Sequence, residues 1–211
     1  MGNPWKILFF LVPVGILFLA SGCLYRVKLE SSYPLQIAPQ ETKPIALLPI
    51  SDVPGHPGSG LSLQSGIPER LAAKGYNLLN SEEVSRLLEE LGLSTEKVLS
   101  NPIFLAKIRD LLEAKLFMAG TILDYRTQKS YFGTGTFQVW DGASYNYGVL
   151  PTYFMGIFQI RLRLKLINPE DGSVVWMAEG IARGPSDSAK TLAKRLVWRL
   201  LDNLPIVIKA P

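Results

Sequence analysis

Gln159-Ile160-Arg161-Leu162-Arg163-Leu164-Lys165-Leu166 alternates polar and apolar residues without a break. A period of two predicts a strand with one face buried and the other wet. Asn168-Pro169-Glu170-Asp171-Gly172 follows as a turn, since Pro fixes φ and Gly supplies φ > 0. Ser173 to Ala182 then reads as the returning arm of a hairpin. A helix is predicted beyond it, from Ser186 or Asp187 to the stop at Pro205. Ala189, Leu192, Ala193, Leu196, Leu200 and Leu204 make its apolar stripe, and Lys190, Lys194, Arg195 and Arg199 its wet side.

The half before this hairpin mixes strands with helices. Ile45-Ala46-Leu47-Leu48-Pro49-Ile50 is a short continuous apolar run, which predicts a strand buried on both faces. Pro54 to Gly60 is a punctuated loop, expected to connect flexibly. One helix is predicted from Leu61 to Ala73, with Gly66 and Pro68 as breakers in its first turns and Gly75 as its stop. Tyr76 to Leu79 reads as a second strand. Asn80 or Ser81 caps a helix over Glu82–Leu91, with Val84, Leu87, Leu88 and Leu91 inward. Asn101-Pro102 starts another helix, with Phe104, Ile108, Leu111 and Leu112 as its buried side. Leu116 to Tyr125 is a strand, and Gly120 within it predicts a close approach by a neighbour. The order strand–helix–strand–helix–helix, strand meander, helix predicts an α/β chain of α+β type: a mixed sheet with helices packed on it.

Residues 1–22 read as a targeting segment. Lys6 is its positive start, Ile7 to Leu19 its apolar centre, and Ala20 to Gly22 its small-residue end before Cys23, the one cysteine of the chain. Small residues before a lone cysteine resemble a bacterial lipoprotein signal, which implies lipidation at Cys23 and cleavage before it. An uncleaved membrane helix competes, because Ile7 to Tyr25 carries no charge. Pro13 and Gly15 weaken that helix. Leu24, in place of the Asp that retains such proteins in the inner membrane, favours the periplasmic face of the outer membrane. Residues 23–43 are expected to be a lipidated tether, 44–205 a single domain and 206–211 a tail. Loss of Lys6 takes the formal charge from +4 to +3. No block of like charges indicates a nucleic-acid partner. With Cys23 acylated, the fold stands without disulfides.

Several short motifs resemble the superfamily of the curli secretion channel (CsgG-like) and the penicillin-binding-protein activators. They are Ile45 to Ile50 with Leu48-Pro49, Gly75 to Val84, Leu87-Leu88-Glu89-Glu90-Leu91-Gly92, Ala119-Gly120-Thr121-Ile122, and Asp171 to Trp176. The resemblance implies a fold similar to the amino-terminal domain of TolB-type proteins, and an assembly factor, adaptor or pore subunit rather than an enzyme. The channel branch carries two membrane-inserting hairpins, whereas this chain has one unusual segment, at 129–158.

Candidate chemistry is sparse. Gly55, Gly60 and Ser62 have P-loop spacing, but Leu61 stands where the phosphate-binding lysine belongs, and Pro54 and Pro57 lack N–H donors. His56 is the chain's one histidine, with Asp52 its nearest carboxylate; no set of ligands converges on it, and an exposed loop histidine is expected. The pairs Glu82-Glu83 and Glu89-Glu90 read as a solvated helix surface. Arg161, Arg163 and Lys165 read as a solvated basic stripe. No catalytic residue, cofactor, metal or small-molecule substrate is therefore expected.

Lys129 to Phe158 is different. It holds nine of the 21 aromatic residues and the glycines 133, 135, 142, 148 and 156, with Lys129 and Asp141 its only charges. Asp141-Gly142 reads as a hairpin turn. A hairpin packed on its own domain, a Tyr-rich protein interface and a membrane-touching hairpin all fit. The interface reading makes Trp140, Tyr145, Tyr147 and Tyr153 the anchors, because large aromatics dominate interface energy. The expected function is a non-enzymatic, lipid-anchored adaptor or transport accessory that binds envelope proteins or copies of itself. A pore subunit using 129–158 is the alternative.

Overall fold

The computed structural model describes residues 26–38, 44–132, 136–140, 145–149 and 153–207, with side chains outside 129–155. The lipidation motif at Cys23 and the turn at Asp141-Gly142 lie outside the described residues. Seven strands are present: β1 (Arg26–Tyr33), β2 (Ile45–Leu47), β3 (Leu116–Phe132), β4 (Thr136–Trp140), β5 (Tyr145–Val149), β6 (Tyr153–Ile167) and β7 (Val174–Pro185). Five form one mixed sheet in the order β1-β7-β6-β3-β2, and β4 pairs with β5 separately. Only β2 runs parallel to its neighbour, β3.

The helices are α1 (Ser59–Gln64), α2 (Ile67–Ala73), α3 (Ser81–Glu90), α4 (Thr95–Ser100), α5 (Pro102–Leu112) and α6 (Ala189–Leu201). They form two layers. α1, α2 and α6 close one face of the sheet over Ile160, Leu162, Leu164 and Leu166 of the alternating strand. α3, α4 and α5 cover the other face only beside β2 and the start of β3. β2 therefore divides its side chains: Ile45 and Leu47 enter the first core, Ala46 and Leu48 the second. That is the two-sided burial its unbroken apolar run predicts. Over β6, β7 and β1 the second face has no helix among the described residues.

α6 supplies the largest helical share of the first core. Leu192, Ala193, Leu196, Val197, Leu200 and Leu201 are buried there, and each buried Leu or Val is worth about 1.5–3 kcal/mol. The helix approaches closely because β7 presents Gly180. A Cβ at Gly180 would lie 2.6 Å from the Lys28 carbonyl oxygen and 2.9 Å from Leu200 Cδ2. Gly120 serves β3 in the same way: its missing Cβ leaves room for Ile50 Cδ1, 2.6 Å from the ideal position. The end of α6 is pinned by residues just after α2. Lys74 Nζ donates to the carbonyls of Asp202 (3.0 Å) and Leu204 (2.5 Å), and the Tyr76 hydroxyl donates to that of Pro205 (2.9 Å). Burial pushes the Tyr76 phenol up to about 12 and lowers the Lys74 ammonium.

Several expectations change. Arg26–Tyr33, read as tether, is an edge strand paired antiparallel to β7. Its alternation is short because the register shifts between Leu29 and Ser31. Val207, read as tail, is 5% exposed and donates its N–H to the Lys74 carbonyl. The helix expected over 61–73 is two helices with Ser65-Gly66 between them. Tyr76–Leu79 makes one bridge, Leu78 to Ile45, rather than a strand. Leu111 is 54% exposed, because α5 turns Leu105 and Ile108 inward instead.

Gly180→Ala is expected to cost about 1–3 kcal/mol, since the added methyl meets backbone and a packed helix at once. The measurement is the urea unfolding midpoint. An unchanged midpoint would mean that β1 and α6 retreat freely, contrary to this packing.

Candidate functional site

The loop that resembles a P-loop carries its own anion. Gly58 and Gly60 donate backbone N–H groups to the Asp52 carboxylate at 2.7 Å each, and the Ser59 hydroxyl lies 3.4 Å from it. These bonds, Gly58 foremost, hold the Asp52 carboxyl below its ordinary range. Positive φ at Gly55 and Gly58 lets the chain curl around that carboxylate. The donors a phosphate would need are thus taken, and the loop expected to be flexible is a bonded turn. His56 is half-buried rather than exposed, with its ring 4.6 Å from that of Tyr125. Among the described residues no group of three His, Cys, Asp or Glu is gathered that could hold a metal. Glu82, Glu83, Glu89 and Glu90 are exposed on α3, the first two in its first turn, where the helix dipole favours them.

The basic stripe is not simply solvated. The uncovered sheet face carries an ion network across three strands. Arg161 bonds Glu30 of β1 and Glu179 of β7 at 2.7 Å each, and Arg163 bonds Glu179 at 2.6 Å. Glu179 is 4% exposed, and these two guanidinium groups compensate its burial. The hairpin register creates the pairing: Leu166 opposite Trp176 puts Arg163 opposite Glu179. A second group stands one strand over, where Arg126 Nε (2.6 Å) and Gln159 Nε2 (2.8 Å) donate to Asp124. The Arg126 bond chiefly lowers the Asp124 carboxyl. The signal for Glu179 was present in the sequence, as the one carboxylate of β7 at hairpin distance from Arg163.

The aromatic segment forms a ribbon. β3 and β6 stay paired to Phe132 opposite Tyr153, beyond the last β7 pair at Ile157 and Pro185. β4 and β5 continue as a two-stranded sheet with Trp140 opposite Tyr145 and Gln138 opposite Tyr147. The four anchors, Trp140, Tyr145, Tyr147 and Tyr153, therefore all sit on the ribbon and none on the helical layers. Gly156 marks its base: a Cβ there would overlap the Ser186 side chain, so the turn Ser186–Ser188 rests directly on β6. β1 runs antiparallel to β7 from Arg26 opposite Arg183. The chain thus enters the sheet at the same end from which the ribbon leaves.

Glu179→Ala is expected to destabilise the fold by about 1–3 kcal/mol, because it leaves two guanidinium groups without their shared carboxylate. Glu30→Ala, at an exposed position, is expected to cost less than 1 kcal/mol. Equal losses in chemical denaturation would contradict the assignment of Glu179 as the centre of the network.

No family model matches the chain, and no curated protein matches it in sequence. Solved structures are similar in fold. The PelC dodecamer from Paraburkholderia phytofirmans has a TM-score of 0.50 at 18% identity, covering 87% of this chain and 99% of that chain. A point variant of the same protein gives 0.51 at 17% identity, with the same coverage. Lipoprotein GNA1162 from Neisseria meningitidis gives 0.48 at 16% identity, over 75% of this chain and 94% of that one. The likeness to PelC is one of fold: a mixed sheet with helices packed on it.

Proposed function

We propose that the chain is a lipid-anchored outer-membrane protein, facing the periplasm and without enzymatic activity. It acts as an assembly or transport accessory through contacts with envelope proteins or with copies of itself. The observation that carries this reading is the shared end of the sheet. β1 begins at Arg26, three residues after Cys23, and the ribbon leaves the sheet beside it. An anchor at Cys23 therefore holds the ribbon toward the bilayer and its neighbours. Past β7 the ribbon has only two strands among the described residues. Two strands alone are marginal in water, and a partner surface completes them. The dodecameric state of the PelC structures supports self-association as that partner. The resemblance to the CsgG-like superfamily and to the TolB amino-terminal domain belongs to this proposal.

One observation favours the pore as a second reading. The arms 131–140 and 145–158 reach the roughly 9–11 residues that a membrane-crossing strand needs, and the shared end points them at the lipid. Against it, the sequence puts Gly133 and Gly135 within one arm and Pro151 within the other, residue types that suit a membrane-crossing strand poorly.

Cys23→Ala should leave uncleaved, unacylated precursor in the inner membrane, as read by intact mass and membrane fractionation. Normal cleavage and sorting of this variant would end the lipoprotein reading. Replacing Trp140, Tyr145, Tyr147 and Tyr153 together by Ser should keep the circular dichroism and the lipid anchor, yet abolish co-purification with copies of itself or with its partner. If the wild type instead conducts ions in liposomes, and a chain lacking 131–158 does not, the pore reading replaces the adaptor.

A further inference from the structure

The geometry points to a docking surface for anionic phospholipid headgroups on the uncovered sheet face, built from Arg26, Lys28 and Arg183. This inference rests on the lipid anchor proposed above and adds how the domain is oriented on it.

One row of the sheet crosses four strands in register. Arg26 of β1 stands opposite Arg183 of β7, Arg183 opposite Gln159 of β6, and Gln159 opposite Arg126 of β3. All four lie on the face away from Phe158 and Ile160, which are buried under the α6 layer. Lys28 joins the same face one row further in, opposite Ile181. Like charges directly opposite each other in a sheet repel. Yet Arg26, Lys28 and Arg183 are exposed and make no side-chain hydrogen bond or ion pair among the described residues. The rest of the face shows the contrast. There Glu179 and Glu30 neutralise Arg161 and Arg163, and in the end row itself Asp124 takes up Arg126. Carboxylates balance Arg161, Arg163 and Arg126, and Lys165 lies at the far end of the same β6 face, away from the chain entry. Arg26 and Arg183 of the end row, with Lys28 beside them, keep their charge.

That charge lies where an anchored chain meets the bilayer. Arg26 stands three positions after Cys23, a reach of about 10 Å at full extension. This is close to the Debye length of about 8 Å at physiological salt, inside which an anionic surface still acts on a cation. Arginine offers the forked donors that suit phosphate oxygens. The ribbon begins three pairs beyond, at Lys129 opposite Gly156. The arginine row therefore stands at headgroup level when the ribbon points to the membrane. The anchor holds the domain near the surface, and the row selects which face turns down.

The test uses the full-length acylated protein in lipid nanodiscs. Ile181→Cys, labelled with an environment-sensitive dye, places a reporter beside Lys28; acylation leaves Cys23 no thiol to label. Phosphatidylcholine discs are compared with discs containing phosphatidylglycerol. The anionic lipid should shift the emission to the blue, and added salt should reverse the shift. Arg26→Gln with Arg183→Gln should lower the docked-to-undocked ratio, roughly fivefold for each arginine. Lys190→Gln with Arg199→Gln, which removes the same charge from α6, should leave the shift intact. A shift that ignores anionic lipid, or that the α6 variant loses equally, overturns the proposal. Displacement by inorganic phosphate at matched ionic strength also overturns it, since the row would then be a free-anion site. Intact mass of the same sample separates the two readings: acylated protein without a shift defeats only the docking surface, and protein without acyl chains defeats the anchor and the docking surface together.

Discussion

The register of β6 against β7 is the constraint on which the rest depends. Asn168 N–H donates to the Ser173 carbonyl, and Gly172, at φ 71°, donates back to Asn168. This turn sets Leu166 opposite Trp176, and every later pair follows. Side chains alternate with a period of two, so a slip of one residue would turn every leucine of β6 outward and every arginine inward. In the observed register the leucines meet α6, Gly180 lies where the helix comes closest, and Arg163 finds Glu179. Core, helix docking and ion network are three consequences of one turn.

The parts of the fold that were legible in the sequence are those with a sustained period. The Ile160–Leu166 alternation, the α6 stripe and the unbroken apolar run at Ile45 each carry enough repeats to name both the element and its buried side. Gly120 was readable as well, because a glycine inside a strand signals close approach, and Ile50 fills the space. What escaped lacked repeats. β1 alternates over a few residues before its register shifts. α4 is one short helix, and Ser94, which caps it by accepting the Lys97 N–H, was its only signal. Leu111 was misplaced because two apolar residues adjacent on a helix differ by about 100° in direction, and burial selects one.

The site was less legible for a different reason. Its residues were visible as a basic stripe and an aromatic cluster, but their meaning depends on pairing between strands distant in sequence. Arg163 and Glu179 meet through a hairpin that can be counted from the turn. Glu30 meets Arg161 only because β1 joins the far side of β7, which no local pattern announces. Asp52 and His56 show the converse. They read as an exposed loop, and the structure turns Asp52 onto the loop's own N–H groups and His56 onto Tyr125.

These pairings separate the molecule into a part that stores stability and a part left free to act. Among the residues whose side chains are described, both hydrophobic clusters are built from the sheet and the helices, with Phe158 as the first core's contribution nearest the ribbon. The helices of the second layer stop at β3, so the face over β6, β7 and β1 is held by charge rather than by apolar burial. An apolar uncovered face would invite indiscriminate association. A face whose central arginines are neutralised by its own carboxylates does not, and its facing pair of free arginines stands in the row where that neutralisation ends. That row, the start of β1 and the base of the ribbon coincide at one end of the sheet. A fold that sets two facing arginines, its chain entry and its two-stranded ribbon at one end of the sheet can change its contacts at that end without loosening the domain.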